Sequence, residues 1–526
     1  MSAPAGARTA LLVLRPEDDV AVATRDLAPG AVVTADGAAD GASDVTAGGV
    51  SVLVRDPVPR GHKVALRAVP AGAPVRKYGQ VIGVATTDVA PGDHVHGHNL
   101  GFEEGEREHE LATVHTELPV PDGPRPTFRG YRRADGRVGT RSYVAILTSV
   151  NCSASTARMI ADQFRGFALD AYDDVDGVVA LTHQSGCGLV PSSEGAQVLL
   201  RTLRGYAAHP NVTGVLVLGL GCEMIAVDTV LAGARLSPDT VVRTLTIQDS
   251  GGVRATVRAG VQAVREMVEE IDGRFARTEC DVSELVLGLN CGGSDGYSGI
   301  TANPALGLAS DQLVAYGGTS ALAETPEVFG AEHLLTRRAV TPAVGQRLLD
   351  RLAWWQDYAA AGGGSLDNNP SPGNKAGGLT TILEKSLGAV AKGGQADLAA
   401  VHEYAEPMTT PGFVFMDTPG YDPVSVTGLV AGGATVVCFT TGRGSVFGCK
   451  PTPSIKLGTN SELFARMGDD IDVDCGRVVD GTATLAEVGD EIFARILAVA
   501  SGEATASEDL DIGGEEFVPW QLGTVT

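Results

Sequence analysis

The 526-residue chain is poor in aromatic residues, at 5%, and poor in basic ones, with 40 Lys and Arg against 64 Asp and Glu. A net charge of −24 repels phosphate backbones and anionic lipid surfaces, so neither nucleic acid nor membrane is an expected partner. None of the eight cysteines stands in a Cys-x-x-Cys pair, which speaks against a disulfide scaffold and for a reducing, cytoplasmic setting. No basic stretch precedes the short apolar run near Leu14, so no secretion signal is expected. No Gly-x-Gly-x-x-Gly follows a strand-like run. The nearest approach to a phosphate-binding loop, Gly444 to Lys450, is broken by Cys449. No nucleotide cofactor is expected, and ATPase and dehydrogenase chemistry are set aside.

The 44% of hydrophobic residues suffices for packed cores, and the length suggests two to four domains at roughly 150 residues each. Glycine is abundant, at 68 residues, which suits tight turns and close approach of backbone to a ligand. The longest uncharged stretch, Pro423 to Gly442, could span a bilayer by length, but its glycines and hydroxyl residues read as a strand–turn–strand in a core.

Short β-rich runs punctuated by Pro29-Gly30, Pro70-Ala71-Gly72 and Pro91-Gly92 predict a small all-β domain over residues 1–102. An acidic and then Pro-rich linker is expected over 103–127. From Tyr143 apolar strands alternate with helical patterns, the mark of doubly wound parallel-sheet α/β domains, placed at 128–378 and 379–526. The acidic tail from Glu503 is expected to be partly mobile.

Three of the ten histidines fall in Asp93-His94-Val95-His96-Gly97-His98-Asn99. On an extended strand His94, His96 and His98 would share one face, a donor set suited to Fe, Zn or Ni. His62, in Arg60-Gly61-His62-Lys63, is a further metal candidate. Cys152, Cys187 and Cys222 are spaced by 35 residues, one β–helix–β unit, and with Cys291 they sit at or just beyond strand ends. Thiolate-bound iron or a nucleophile is one reading. Ferredoxin-like spacings are absent, so small residues at cramped turns is the reading preferred.

Three Gly-rich loops could hold an anion on backbone N–H groups: Asn290 to Pro304, Asn368 to Gly378, and Thr440 to Ser445. The arginines between Arg129 and Arg141 are taken as a carboxylate-facing hairpin or plain surface charge.

Several motifs together resemble the altronate/galactarate dehydratase family over about Asp19 to Asp474. They are Arg60-Gly61-His62-Lys63-Val64-Ala65-Leu66, Lys77-Tyr78-Gly79, His96-Gly97-His98-Asn99, Gly130-Tyr131-Arg132-Arg133, Gly219-Leu220-Gly221-Cys222-Glu223, Cys291-Gly292-Gly293-Ser294-Asp295, Asn369-Pro370-Ser371-Pro372-Gly373-Asn374-Lys375 and Thr441-Gly442-Arg443-Gly444. The resemblance implies an N-terminal β-clip SAF domain and dehydration of a sugar acid with Fe²⁺ or a similar divalent ion such as Mn²⁺. The His-x-His-Asn motif looks altronate-like, which implies conversion of D-altronate to 2-keto-3-deoxy-D-gluconate. His333 to Val340 looks at least as similar to the galactarate branch. Galactarate, a sulfonated hydroxy acid, and a sugar-acid binding protein without catalysis remain alternatives. The metal is assigned to His96 and His98 with His62. The polyol and carboxylate go to Gly292, Gly293, Ser294, Asn374 and Arg443. The base is left among Lys375, His183 and Asp295. Oligomeric state is open, a homo-oligomer included.

Overall fold

The computed structural model describes residues 10–36, 50–103 and 109–523. Part of the 1–102 domain and of the 103–127 linker therefore lies outside the described residues.

The N-terminal region folds as expected from its short runs. Its main sheet has six strands in the order Val50–Leu53, Val32–Asp36, Leu11–Leu12, Val20–Ala23, Lys63–Ala65, His94–Val95. A second sheet joins Pro74–Lys77, Gln80–Ala85 and Leu100–Gly101. These strands are short because a Pro or Gly turn interrupts nearly every one.

The next unit is a four-stranded parallel sheet in the order Gly177–Leu181, Tyr143–Thr148, Val212–Gly219, Val241–Thr246. Its two central strands, Tyr143–Thr148 and Val212–Gly219, are buried at every position because both faces are covered. Ala145, Leu147, Val215 and Val217 pack with the helix Glu194–Ala207 on one side. Val144, Ile146, Leu216 and Leu218 pack with Val253–Ile271 on the other.

A seven-stranded parallel sheet follows, in the order Leu398–His402, Gly412–Met416, Thr319–Leu322, Val286–Cys291, Val436–Thr441, Ser454–Gly458, Val473–Asp474. It takes strands from both sides of residue 378, where the sequence suggested a domain boundary. The Gly/Pro-rich stretch ending at Gly378 is a loop over this sheet's edge. The chain steps from Val286–Cys291 to Thr319–Leu322 on one side and from Val436–Thr441 to Ser454–Gly458 on the other, so the topological switch point lies between the C-terminal ends of Val286–Cys291 and Val436–Thr441. That is where open α/β sheets bind ligands.

Two sequence expectations fail here. Pro423 to Gly442 is a helix, Asp422–Ala431, followed by the strand Val436–Thr441. Pro423 in the first turn and the Gly432-Gly433 stop were the helix signals. Burial of Val424, Val426 and Val430 overrode the β preference of that run. The acidic tail is also anchored. Trp520 stacks on Trp355 with ring centroids 5.1 Å apart, and Glu508 forms a bidentate pair with Arg141. The arginine cluster is thus structural, with Arg133 likewise paired to Asp239 at 3.0 Å. No described helix is long and apolar enough to cross a membrane.

Candidate functional site

The histidine motif is a turn rather than a strand. Only His94 and Val95 are extended; residues 96–99 fold back. Asn99 clamps the turn: its Oδ1 accepts from the His96 N–H at 2.9 Å, and its amide donates to the His94 carbonyl at 3.0 Å. His62 arrives from the neighbouring strand, where Lys63 pairs with Val95. Ring centroids are 5.1 Å apart for His62–His94, 4.9 Å for His62–His96, 5.4 Å for His94–His96 and 5.5 Å for His94–His98. The cluster therefore includes His62, His96 and His98 and is centred on His94. Period-two alternation predicted the company but not the cause.

Backbone carbonyls orient two of these rings. His62 Nε2 lies 3.3 Å from the Ala376 carbonyl, and His96 Nε2 lies 2.9 Å from the Lys375 carbonyl. Donation from Nε2–H leaves the His62 Nδ1 lone pair for a metal, the usual arrangement of metal-bound histidines, whereas His96 Nδ1 accepts from the Gly97 N–H at 2.7 Å and must give up that bond to ligate. His62 Nδ1 is 3.0 Å from His94 Nε2, a spacing that one ion with bonds of about 2.0–2.1 Å can bridge. No three of the ring nitrogens lie within 4.8 Å of one another, so His96 or His98 must turn inward to complete a site. Burial, then the mutual repulsion of the rings, holds His94 down at about 3. Burial with Lys63 nearby holds His96 at about 4. His94 and His96 are thus neutral at pH 7, as ligation requires, and the donor set fits a divalent transition metal.

The cluster is docked against the switch point of the large sheet. A Cβ at Gly296 or Gly378 would collide with the Gly61 carbonyl oxygen, so only glycine permits this approach of three backbones. Gly292 N–H donates to Thr440, and Arg443 N–H to Gly293, knitting the two Gly-rich loops together. Gly377 packs on Asp295 and on the Arg443 stem. Gly292, Gly293, Arg443, Lys375 and the imidazoles therefore border one crevice, with Arg443 and Lys375 exposed.

Other nominated residues turn out to be committed to structure. Asn374 closes the cap of Pro372–Ala376 and donates to the Ser294 carbonyl at 2.9 Å. Ser294 is buried beneath it. Asp295 is buried and accepts from Thr459, Ser298, Asn460 and the Tyr297 N–H, which fixes the loop and leaves no free carboxylate edge for a base. His183 belongs to the four-stranded sheet. Its Nε2 bonds the Thr148 carbonyl at 3.0 Å, its Nδ1 accepts from Ser185, and burial lowers it to about 4. The structure does not bring it to the imidazoles.

Sequence reasoning missed a buried ionic cluster at the same sheet edge. Glu324, Glu327 and Cys291 hold their ligand atoms within 4.8 Å of one another. Lys392 meets Glu324 at 2.8 Å, and Lys385 meets Glu327 at 2.7 Å. Two ammonium groups balance two carboxylates, so no ion is needed for neutrality. Glu324 sits at φ +71°, and its Oε1 has no partner, both marks of a residue held in place for a task. Beside it, half-buried Asp422 abuts Gly292, where a Cβ would strike its Oδ2. Burial, then the Glu324 and Glu327 charges, lift Asp422 to about 7. The strand-end rule applied to the cysteines would have found Glu324 and Glu327 just past Thr319–Leu322.

The N-terminal domain is pinned to this edge by Glu384, which accepts from both Lys63 and Lys77 at 2.8 Å with all three fully buried. The two ammonium groups hold its carboxyl well below the usual range. Its stabilisation is present above the unfolded value of about 4.3 and is lost as pH falls through the folded one. Glu384→Gln leaves two buried cations underpaired and is expected to cost about 3–5 kcal/mol. Urea unfolding, with proteolysis of the N-terminal domain as a local probe, measures it; an unchanged midpoint would show the pair to be dispensable.

A separate cavity of about 750 Å³, bordered by Arg141, Arg158, Asp176 and Glu508, shares no residue with this crevice. It is a mixed-charge groove between the four-stranded sheet and the C-terminal tail.

Comparison with known proteins matches the chain domain by domain. Residues 9–103 match the altronate/galactarate dehydratase SAF domain, and 130–272 the D-galactarate dehydratase/altronate hydrolase second domain. Residues 282–525 match the D-galactarate/altronate dehydratase C-terminal domain. Galactarate dehydratase (L-threo-forming) of Escherichia coli is 39% identical over 86% of this chain and 88% of its own. The altronate dehydratases of Escherichia coli and Bacillus subtilis are 37% and 35% identical, each over 94% of this chain and 96% of theirs. On these matches and this architecture the chain belongs to the altronate/galactarate dehydratase family of hydro-lyases.

Proposed function

We propose that this sugar-acid dehydratase converts D-altronate to 2-keto-3-deoxy-D-gluconate and water in a metal-dependent reaction. The observation that carries the reading is the Asn99-clamped imidazole turn seated on the Gly-rich loops of the switch point. His62 and His94, with His96 or His98, would hold Fe²⁺ or a similar divalent ion such as Mn²⁺. Such an ion supplies Lewis acidity for the charge that develops on the substrate carboxylate as the C2 proton leaves.

The chain's own residues do the rest. Exposed Arg443 offers a fixed cation to the carboxylate, and the N–H of exposed Gly293 lines the approach. Of the residues the sequence offered as base, Lys375 alone keeps an exposed end beside the imidazoles, and we assign it the C2 proton. Asp422, protonated about half the time near pH 7, gives a proton to the departing C3 hydroxyl.

Galactarate is the second substrate to consider, because the galactarate dehydratase relative is 39% identical. Incubation of the metal-loaded chain with altronate and with galactarate, followed by keto-acid detection, decides between them. Altronate is expected to give the larger kcat/KM. Faster turnover of galactarate would overturn the substrate, and no keto acid from either would overturn the reaction.

A further inference from the structure

Cys152, Cys187 and Cys222 are exposed free thiols, whereas the other five cysteines are buried. Each follows one of three adjacent parallel strands: Cys187 follows Gly177–Leu181, Cys152 follows Tyr143–Thr148, and Cys222 follows Val212–Gly219. The three loops are tied pairwise. Asn151 N–H donates to the Ser185 carbonyl at 3.0 Å, and Met224 N–H to the Cys187 carbonyl at 3.1 Å. Ser149 donates to Glu223 at 2.5 Å, closing the ring from the Cys152 loop to the Cys222 loop. Chain order reverses between Tyr143–Thr148 and Val212–Gly219, so this edge is the switch point of the smaller sheet. Cys152 also lies in the 3-10 turn Asn151–Ser153 that leads into the helix Ala154–Ala161. Cys291 is excluded from the set, being buried in the other sheet.

We propose that these three cysteines hold a [4Fe–4S] cluster, distinct from the imidazole site, with its fourth iron free of protein thiolate. An all-thiolate set selects iron–sulfur clusters, zinc or copper(I). A single tetrahedral ion with bonds of about 2.3 Å would draw its sulfurs to within roughly 3.8 Å. The three sulfurs do not all lie within 4.8 Å of one another, so a cluster that spreads the thiolates over separate irons fits better. Exposed thiols in such a group would also oxidise readily if left unligated. The proposal does not depend on which sugar acid is the substrate.

The full chain, expressed with iron and purified without oxygen, tests it. Expected are about four acid-labile sulfides per chain, a broad absorbance near 400 nm, and the matching Mössbauer signature. Cys152→Ser, Cys187→Ser and Cys222→Ser should each lose most of the sulfide while circular dichroism stays unchanged. His62→Ala/His94→Ala should retain it. Zinc or iron without sulfide in the wild-type chain overturns the proposal, as does full sulfide content in all three serine variants. Should a serine variant misfold, the wild-type sulfide and Mössbauer measurement alone decides.

Discussion

Asp422→Asn is expected to lower kcat by about 10²–10⁴-fold, the usual contribution of a positioned proton carrier, while leaving the fold intact. Asp422 opens the first turn of the Asp422–Ala431 helix and abuts Gly292, so its carboxyl faces the Gly-rich loop that we assign to substrate. Glu324 and Glu327 are neutralised by Lys392 and Lys385, but their oxygens still face Asp422 and help to raise it to about 7. As the acid of the reaction it works protonated, so kcat should fall as pH rises through about 7, and this alkaline limb should vanish in the variant. Stability moves the same way. The folded chain holds this proton above the unfolded value of about 3.9, so Asp422 erodes stability as pH climbs from there to about 7. At pH 8 the asparagine variant should therefore be no less stable than the wild type. A pH–rate profile beside thermal melts measures both. An alkaline limb unchanged in Asp422→Asn would remove Asp422 from proton transfer.

How far the site was legible depended on whether its chemistry followed local pattern. The parallel strands could be read because burial on both faces makes them continuously apolar, as in Tyr143–Thr148 and Val212–Gly219. The grouping of histidines was visible because it lies in one short segment. The central place of His94 was not, since it depends on Asn99 folding the turn and on His62 crossing from the next strand. Glu324, Glu327, Lys385, Lys392 and Asp422 are scattered over about a hundred residues, and only the sheet's strand order gathers them. Asp295 and Asn374 misled for the opposite reason. A polar residue in a Gly-rich loop is as useful for bracing the loop as for meeting a ligand, and hydrogen-bond partners far along the chain decide which. The cysteines show the same dependence: a shared place at strand ends suggested one set of four, but sheet membership divides it into three exposed and one buried.

The largest effect is expected from the imidazoles. His62→Ala combined with His94→Ala removes the one nitrogen pair already at bridging distance, 3.0 Å, and should lower activity by at least ~10³-fold, the equivalent of about 4 kcal/mol of Lewis-acid stabilisation. The N-terminal domain should stay docked, because Lys63 and Lys77 keep Glu384. His98→Ala should cost far less, roughly tenfold or under, since His98 is exposed and touches the cluster only through the His94 ring. Metal content distinguishes ligation from mere packing. Divalent ion bound by the chain, counted apart from any iron that accompanies acid-labile sulfide, should fall with activity in the double variant and be restored in neither by the cysteine substitutions. If that ion stays at the wild-type level, the imidazoles are not its ligands, and the Cys291–Glu324–Glu327 group becomes the place to look, with Lys392 and Lys385 displaced to admit it.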